Sequence, residues 1–289
     1  MVPVSIAFSN KNPERYFGVD YILKPFFGSH PSRRYFSTTA DLDPSFSREP
    51  IRPKVELIKT IEQFLEGLLP GKIVGLVQNP DPYDPKNADN EYLRSLLNIV
   101  KERKLGLYLE TASDLIFQDL PLIKEITANA PVLITVPIGF LNDSIQSIIL
   151  PDEPGLAKKM RLIQKVNQEK IPVGVILKPI IPFVNDIENN ILEIIEKSKS
   201  AGAAFIYPSF GITLSPTQRQ AFMELITREL PGLRNILMDQ FGLKKSWASP
   251  EQKQLKKAFV INMKKNKLPF GMKDIIGSTK ETNVQLKLF

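Results

Sequence analysis

The chain has 289 residues, 43% of them hydrophobic and 24% charged, with no cysteine, one histidine and a net charge of +7. This is an ordinary globular composition, long enough for one large α/β domain or two small ones. The missing cysteines exclude disulfides, thiolate nucleophiles and any cysteine-ligated zinc or iron–sulfur centre built from this chain alone, and a lone His30 is too few imidazoles for a His-rich metal site.

No apolar run approaches the roughly 20 residues that cross a bilayer, and Met1-Val-Pro-Val-Ser5 lacks a basic stretch followed by an apolar core. A cytoplasmic protein with no membrane contact is expected. The charge is uneven. From Lys244 to Phe289 there are eleven lysines against three acids, a local excess of +8 that leaves the preceding residues at −1. A neutral body with a basic C-terminal segment suggests attraction to a polyanion, nucleic acid being the commonest; a solvated lysine-rich helix face reads the same way.

Residues 1–53 are rich in Pro, Ser, Arg and aromatics and show no sustained period, with one strand expected near Val19–Leu23. From residue 54 the pattern becomes regular. Val55, Ile58, Ile61, Phe64, Leu65 and Leu68 have helical spacing and stop at Pro70-Gly71, and the nearly continuous apolar run 72–78 follows as a strand buried on both faces. Helices are predicted about 89–103, 120–128, 155–169 and 186–201, and strands at 105–110, 132–137, 173–179 and 204–208. Alternation at this interval argues for βαβ units on a parallel sheet, closed into a barrel or open and doubly wound.

In either case the functional positions lie at the C-terminal ends of the strands, so the loops 78–85, 110–113, 137–139 and 178–186 should share one rim. After Ser215 every signal is helical: Ser215-Pro-Thr-Gln218 and Ser249-Pro-Glu-Gln252 are N-terminal caps with Pro at the first position. The domains expected are an N-terminal segment 1–53, a barrel 54–212, a helical region 213–272 and a polar tail 273–289. Asp81, Asp84 and Asp89 could ligate a cation through oxygen, but Asp-Pro turns more commonly cap their own backbone.

Taken in order, the rim motifs resemble the radical S-adenosylmethionine enzymes related to spore photoproduct lyase. Tyr21, Pro25, Phe26, Gly28 and Tyr35 frame a loop like the family's cysteine loop. Pro80-Asp-Pro-Tyr-Asp-Pro85, with Arg94 in the next helix, resembles its T-D-P-Y-Q-P turn. Thr111-Ala-Ser113 through Asp119 resembles T-K-S-x-L-x-x-R-D, Asp152-Glu-Pro154 with Arg161-Leu162 resembles E-P…R-L, and Pro179 to Asp186 keeps P-I-I-P-x-x-N-D. The resemblance implies a partial parallel (β/α) barrel of radical S-adenosylmethionine type with a helical C-terminal extension. It also implies S-adenosylmethionine contacts at Asp81, Tyr83, Thr111, Ser113, Arg161 and Asn185.

The departures bear on function more than the matches. Ser29, Arg33 and Phe36 stand where the family's three cysteines hold a four-iron four-sulfur cluster, and a hydroxyl, a guanidinium and a phenyl ring do not replace thiolates there. Ala112, Gln118 and Asn87 likewise stand where the family has Lys, Arg and Glu. A degenerate, cluster-free member is therefore expected, with no iron–sulfur cluster, no metal and no radical catalysis, and with the vacated mouth plugged by Phe36 or holding an anion beside Arg33 and Arg34. Its expected role is DNA-associated binding or an accessory part in DNA repair, with DNA contacts at Lys244, Lys245, Lys253, Lys256, Lys257, Lys264 and Lys265. The alternative is an enzyme that still binds S-adenosylmethionine or a nucleotide at the barrel mouth and works without a cluster. Lastly, Gln285-Leu286-Lys287-Leu288-Phe289 resembles the Q-L-x-L-F peptide by which bacterial polymerases and repair proteins dock on the sliding clamp, Leu288 and Phe289 filling an apolar pocket that Gln285 borders.

Overall fold

The structure, a computed structural model, describes residues 7–9, 16–23, 26–27, 52–53, 58–76, 81–85 and 90–285. Short strands β1 (Ala7–Ser9), β2 (Tyr21–Leu23), β3 (Phe26–Phe27) and β4 (Arg52–Pro53) precede helix α1 (Ile58–Glu66). The regular part runs β5 (Ile73–Leu76), α2 (Asn90–Glu102), β6 (Gly106–Glu110), a 3-10 turn (Asp114–Asp119), α3 (Leu120–Asn129), β7 (Val132–Pro137), α4 (Asp143–Ile149), α5 (Leu156–Gln168), β8 (Val173–Leu177), α6 (Glu188–Ser200) and β9 (Ile206–Pro208). The C-terminal part adds β10 (Gly211–Thr213), α7 (Pro216–Glu229), α8 (Pro231–Phe241), β11 (Ser246–Ala248), α9 (Gln252–Asn266) and α10 (Met272–Gln285).

Strands β2, β5, β6, β7, β8 and β9 pair in parallel and in chain order, with β1 antiparallel on the outer edge of β2. A doubly wound sheet reverses its strand order at a switch point, and this one does not. It is a partial barrel, the geometry of a right-handed βα progression wound in one direction.

Alternation along each strand sorts two cores. Val74, Leu76, Leu107, Leu109, Val132, Ile134, Val173 and Val175 point outward into the helix layer. Ile22, Tyr108, Leu133, Ile176 and Phe205 point inward, where they meet Phe17, Val19 and Ile275. Gly174 alternates onto the inner face, where the position has no room for a side chain: a Cβ there would stand 2.3 Å from the Phe205 ring.

Two segments depart from the sequence expectation. Within the stretch read as wholly helical after Ser215, β11 pairs antiparallel with β10, and Trp247 in its centre stacks on Phe241 at 5.2 Å to nucleate a second core with Phe222, Leu237 and Ile212. Three-residue strands carry too short a period to show in a sequence. The residues expected as a polar tail from 273 instead form α10. Its apolar content is small, but Met272 accepts the Phe17 N–H at 3.1 Å and Ile275 is fully buried against the inner face of the barrel. The Ser215 cap forms as a complete capping box with Gln218.

Candidate functional site at the barrel mouth

The four rim loops meet at the C-terminal ends of the strands. Asp81, after β5, accepts the Tyr83 N–H at 2.9 Å, the Thr111 hydroxyl at 2.9 Å and the Ala112 N–H at 3.0 Å. Thr111 accepts the Ser113 N–H, and the Ser113 hydroxyl caps the 3-10 turn at Leu115 N–H. Tyr83 donates to Asp119 at 3.0 Å, while Arg94 holds the other Asp119 oxygen at 2.6 Å. Burial first, and the Asp119 carboxylate second, push the Tyr83 phenol well above its ordinary value of 10.0. It stays a neutral donor.

Asn185 does the same work on the far side of the mouth. It donates to the carbonyls of Gly139 at 2.7 Å and Pro179 at 2.9 Å, and accepts the Ile181 N–H at 2.6 Å, tying the loop after β8 to the loop after β7. Asp81, Tyr83, Thr111 and Ser113 therefore converge in one cluster and Asn185 in a second, and each bonds to protein partners. Arg161 does not join them: it is exposed on α5.

The inner face carries a charge network that sequence reasoning missed. Glu110, the last residue of β6, and Lys178, the first after β8, form a buried ion pair at 2.7 Å. Tyr108 stands 3.4 Å from the same carboxylate and 2.9 Å from the Thr135 hydroxyl. The available signal was a charged residue ending each of two otherwise apolar strands.

A cavity of about 420 Å³ opens beside the Asp81 cluster, lined by Asp81, Asp84, Ser113, Asp114, Asp152, Glu153 and Lys158 among others. Its acidic lining disfavours phosphate and suits a cation. An iron–sulfur cluster does not fit the chain's donor set, since no cysteine exists to supply thiolate. Ser29, Arg33 and Phe36, and with them the expected plug or anion at the vacated loop, lie outside the described residues. Among the described residues no group of three or more His, Asp or Glu is placed to hold a metal ion.

The basic residues lie elsewhere. Helix α9 buries Leu255, Phe259 and Met263, and its Asn266 bonds Glu196 and Lys199 of α6 at 2.8 and 2.9 Å. At about 100° per residue Lys253, Lys257 and Lys264 then fall on one line opposite the buried stripe, flanked by Lys256 and Lys265. All five are exposed, as are Lys244 and Lys245 before β11. No acid lies within α9. Of the C-terminal peptide, Gln285 ends α10, and Leu286, Leu288 and Phe289 lie outside the described residues.

No protein-family model matches the chain. An uncharacterized protein, ORF301, of Acidianus two-tailed virus is 29% identical over 126 residues, a match that spans 44% of this chain and 40% of that protein. Among solved structures, spore photoproduct lyase complexed with dinucleoside spore photoproduct superposes with a TM-score of 0.66 at 12% identity, over 91% of this chain and 77% of the lyase. The chain has the spore photoproduct lyase fold. A mutant of the lyase with bound AdoMet and dinucleoside spore photoproduct gives a TM-score of 0.64 over the same shares. At 12% identity the likeness to the lyase establishes architecture, the partial barrel with its helical C-terminal region. Among the described residues no helix is long and apolar enough to cross a membrane.

Proposed function

We propose that this chain is a nucleic-acid-binding protein that keeps the lyase-type barrel as a scaffold and contacts DNA through the lysine face of α9, as an accessory rather than a radical enzyme. The observation that carries the reading is the division of charge. Five exposed lysines share the solvent face of one helix without an acid among them, while the rim polar groups are committed to holding loops together. Phosphate neutralisation needs only such a fixed array of cations, whereas catalysis at the mouth would need polar groups aimed at a substrate. That a structural neighbour carries dinucleoside spore photoproduct supports DNA as the polyanion.

The test is salt-dependent binding of the full chain to a DNA duplex. Each phosphate contact contributes a slope of about −0.9 to log K against log salt, so an array of lysines gives a steep fall and an adventitious attraction a shallow one. A part in DNA repair rests additionally on the 285–289 peptide, tested by pull-down of purified sliding clamp with and without those residues.

The acidic cavity favours a second reading, an enzyme or sensor that binds S-adenosylmethionine at the mouth. Its test is calorimetric titration with S-adenosylmethionine, with Asp114→Asn and Ser113→Ala in the cavity wall as variants. Binding that both variants leave unchanged would contradict it.

A further inference from the structure

The loop after β8 displays an aromatic ring in an uncommon way. Phe183 has φ +63°, the left-handed region that a bulky L-residue rarely enters, and it is 43% exposed, the one aromatic among the large exposed apolar side chains of the described residues. The conformation is imposed by its surroundings. Asp186 accepts the Phe183 N–H at 2.7 Å with one oxygen and the Ser249 hydroxyl at 2.7 Å with the other, and Asn185 fixes the turn on either side. The ring is propped at 6.4 Å by Phe241, which is itself stacked on the buried Trp247. A residue held in a strained conformation by three separate supports, with its apolar ring left outward, points to a use for the ring.

Exposed lysines lie on the segments that support the ring. Lys244 and Lys245 follow Phe241 within four residues, and Ser249, bonded to the Phe183 loop, leads into the first turn of α9 with Lys253. Asp239, Glu188 and Glu251 are the exposed acids nearest in sequence to those contacts. Exposed Leu243 adds apolar surface beside the lysines. An exposed, fixed ring supported by lysine-bearing segments is a combination that suits a strand of unpaired bases, each base presenting a π-face and each link a phosphate. A duplex offers the phosphates but keeps its base faces stacked on one another.

We propose that Phe183 is a base-stacking platform, and that the nucleic acid this chain takes is single-stranded or carries an unpaired base; the inference rests on the nucleic-acid reading above. The experiment is fluorescence anisotropy with a labelled oligo-dT of about a dozen nucleotides and a duplex of equal length, measured at several salt concentrations. The proteins compared are the full chain, Phe183→Ala, Phe183→Leu and Phe183→Trp. The leucine variant keeps an apolar side chain of similar bulk without a π-face, so its loss of affinity reports stacking rather than folding, which circular dichroism checks for each variant.

Single-strand affinity is expected to fall about tenfold in Phe183→Ala and Phe183→Leu with an unchanged salt slope, and to be kept in Phe183→Trp with quenching of the new indole. Unchanged affinity in the alanine and leucine variants, or equal wild-type affinity for duplex and single strand, overturns the stacking proposal while a steep salt slope leaves the nucleic-acid reading standing. Absence of salt-dependent binding to either DNA overturns both.

Discussion

Lys178 Nζ lies 2.7 Å from Glu110 Oε1 across the inner face of the barrel, pairing the end of β6 with the end of β8 over 68 residues of sequence. Glu110 is 1% exposed and Lys178 11%. Removing one charge leaves the other buried and uncompensated, so Lys178→Met alone should destabilise by about 3–5 kcal/mol. The double variant Glu110→Gln, Lys178→Met should recover a large part of that. Urea unfolding measures both, and equal losses in the single and double variants would show that the pair is not coupled.

Asn185 makes three side-chain hydrogen bonds, two that fix the loop after β8 and one that ties it to the loop after β7. Asn185→Ala removes the side-chain partner of the Ile181 N–H and the Pro179 carbonyl, at about 1–3 kcal/mol each where water does not enter, while the Gly139 carbonyl keeps the Asn190 amide at 2.8 Å. The melting temperature should fall by several degrees while DNA affinity, measured well below the transition, stays the same. A selective loss of ligand binding with no loss of stability would place Asn185 in a binding site instead.

Much of this architecture was legible in the sequence, for a physical reason. Parallel strands buried on both faces appear as apolar runs, and Val132–Pro137 and its neighbours stand where those runs do. Direction of winding was not legible, because periodicity says nothing of which strand a strand pairs with; the resemblance carried that expectation and the strand order settles it. The rim clusters around Asp81 and Asn185 lie at loops the pattern located. Their chemistry was harder to read, since a carboxylate bonded to three backbone and hydroxyl donors has the same sequence as one that waits for a ligand. Glu110 and Lys178 escaped notice because each looks like an ordinary strand end until the fold brings them together. Helix α10 was missed because Met272 and Ile275 are its main anchors, too few to stand out from a polar stretch.

Alkaline stability offers a separate check. Burial, with Asp119 for Tyr83 and with Tyr16 and then Glu110 for Tyr108, raises both phenols well above the ordinary 10.0. In the unfolded chain they ionise near that ordinary value, while in the folded chain they keep their protons, so the folded state binds more protons above about pH 10. Their contribution is complete below pH 10 and is lost as pH rises beyond it. Thermal unfolding followed from pH 8 to 11 should show a decline setting in near pH 10, smaller in Tyr83→Phe than in the native chain.

The claim that this barrel serves nucleic acid through α9 is tested most directly by the salt slope of DNA binding before and after Lys253, Lys257 and Lys264 are changed together to Gln. With three phosphate contacts removed, the slope for a duplex should become shallower by about 2.7, from about −0.9 per contact, and affinity should fall at every salt concentration. For a single strand the corresponding change is about 2, from about −0.7 per contact. An unchanged slope in the triple variant, with circular dichroism confirming an intact fold, would contradict the account.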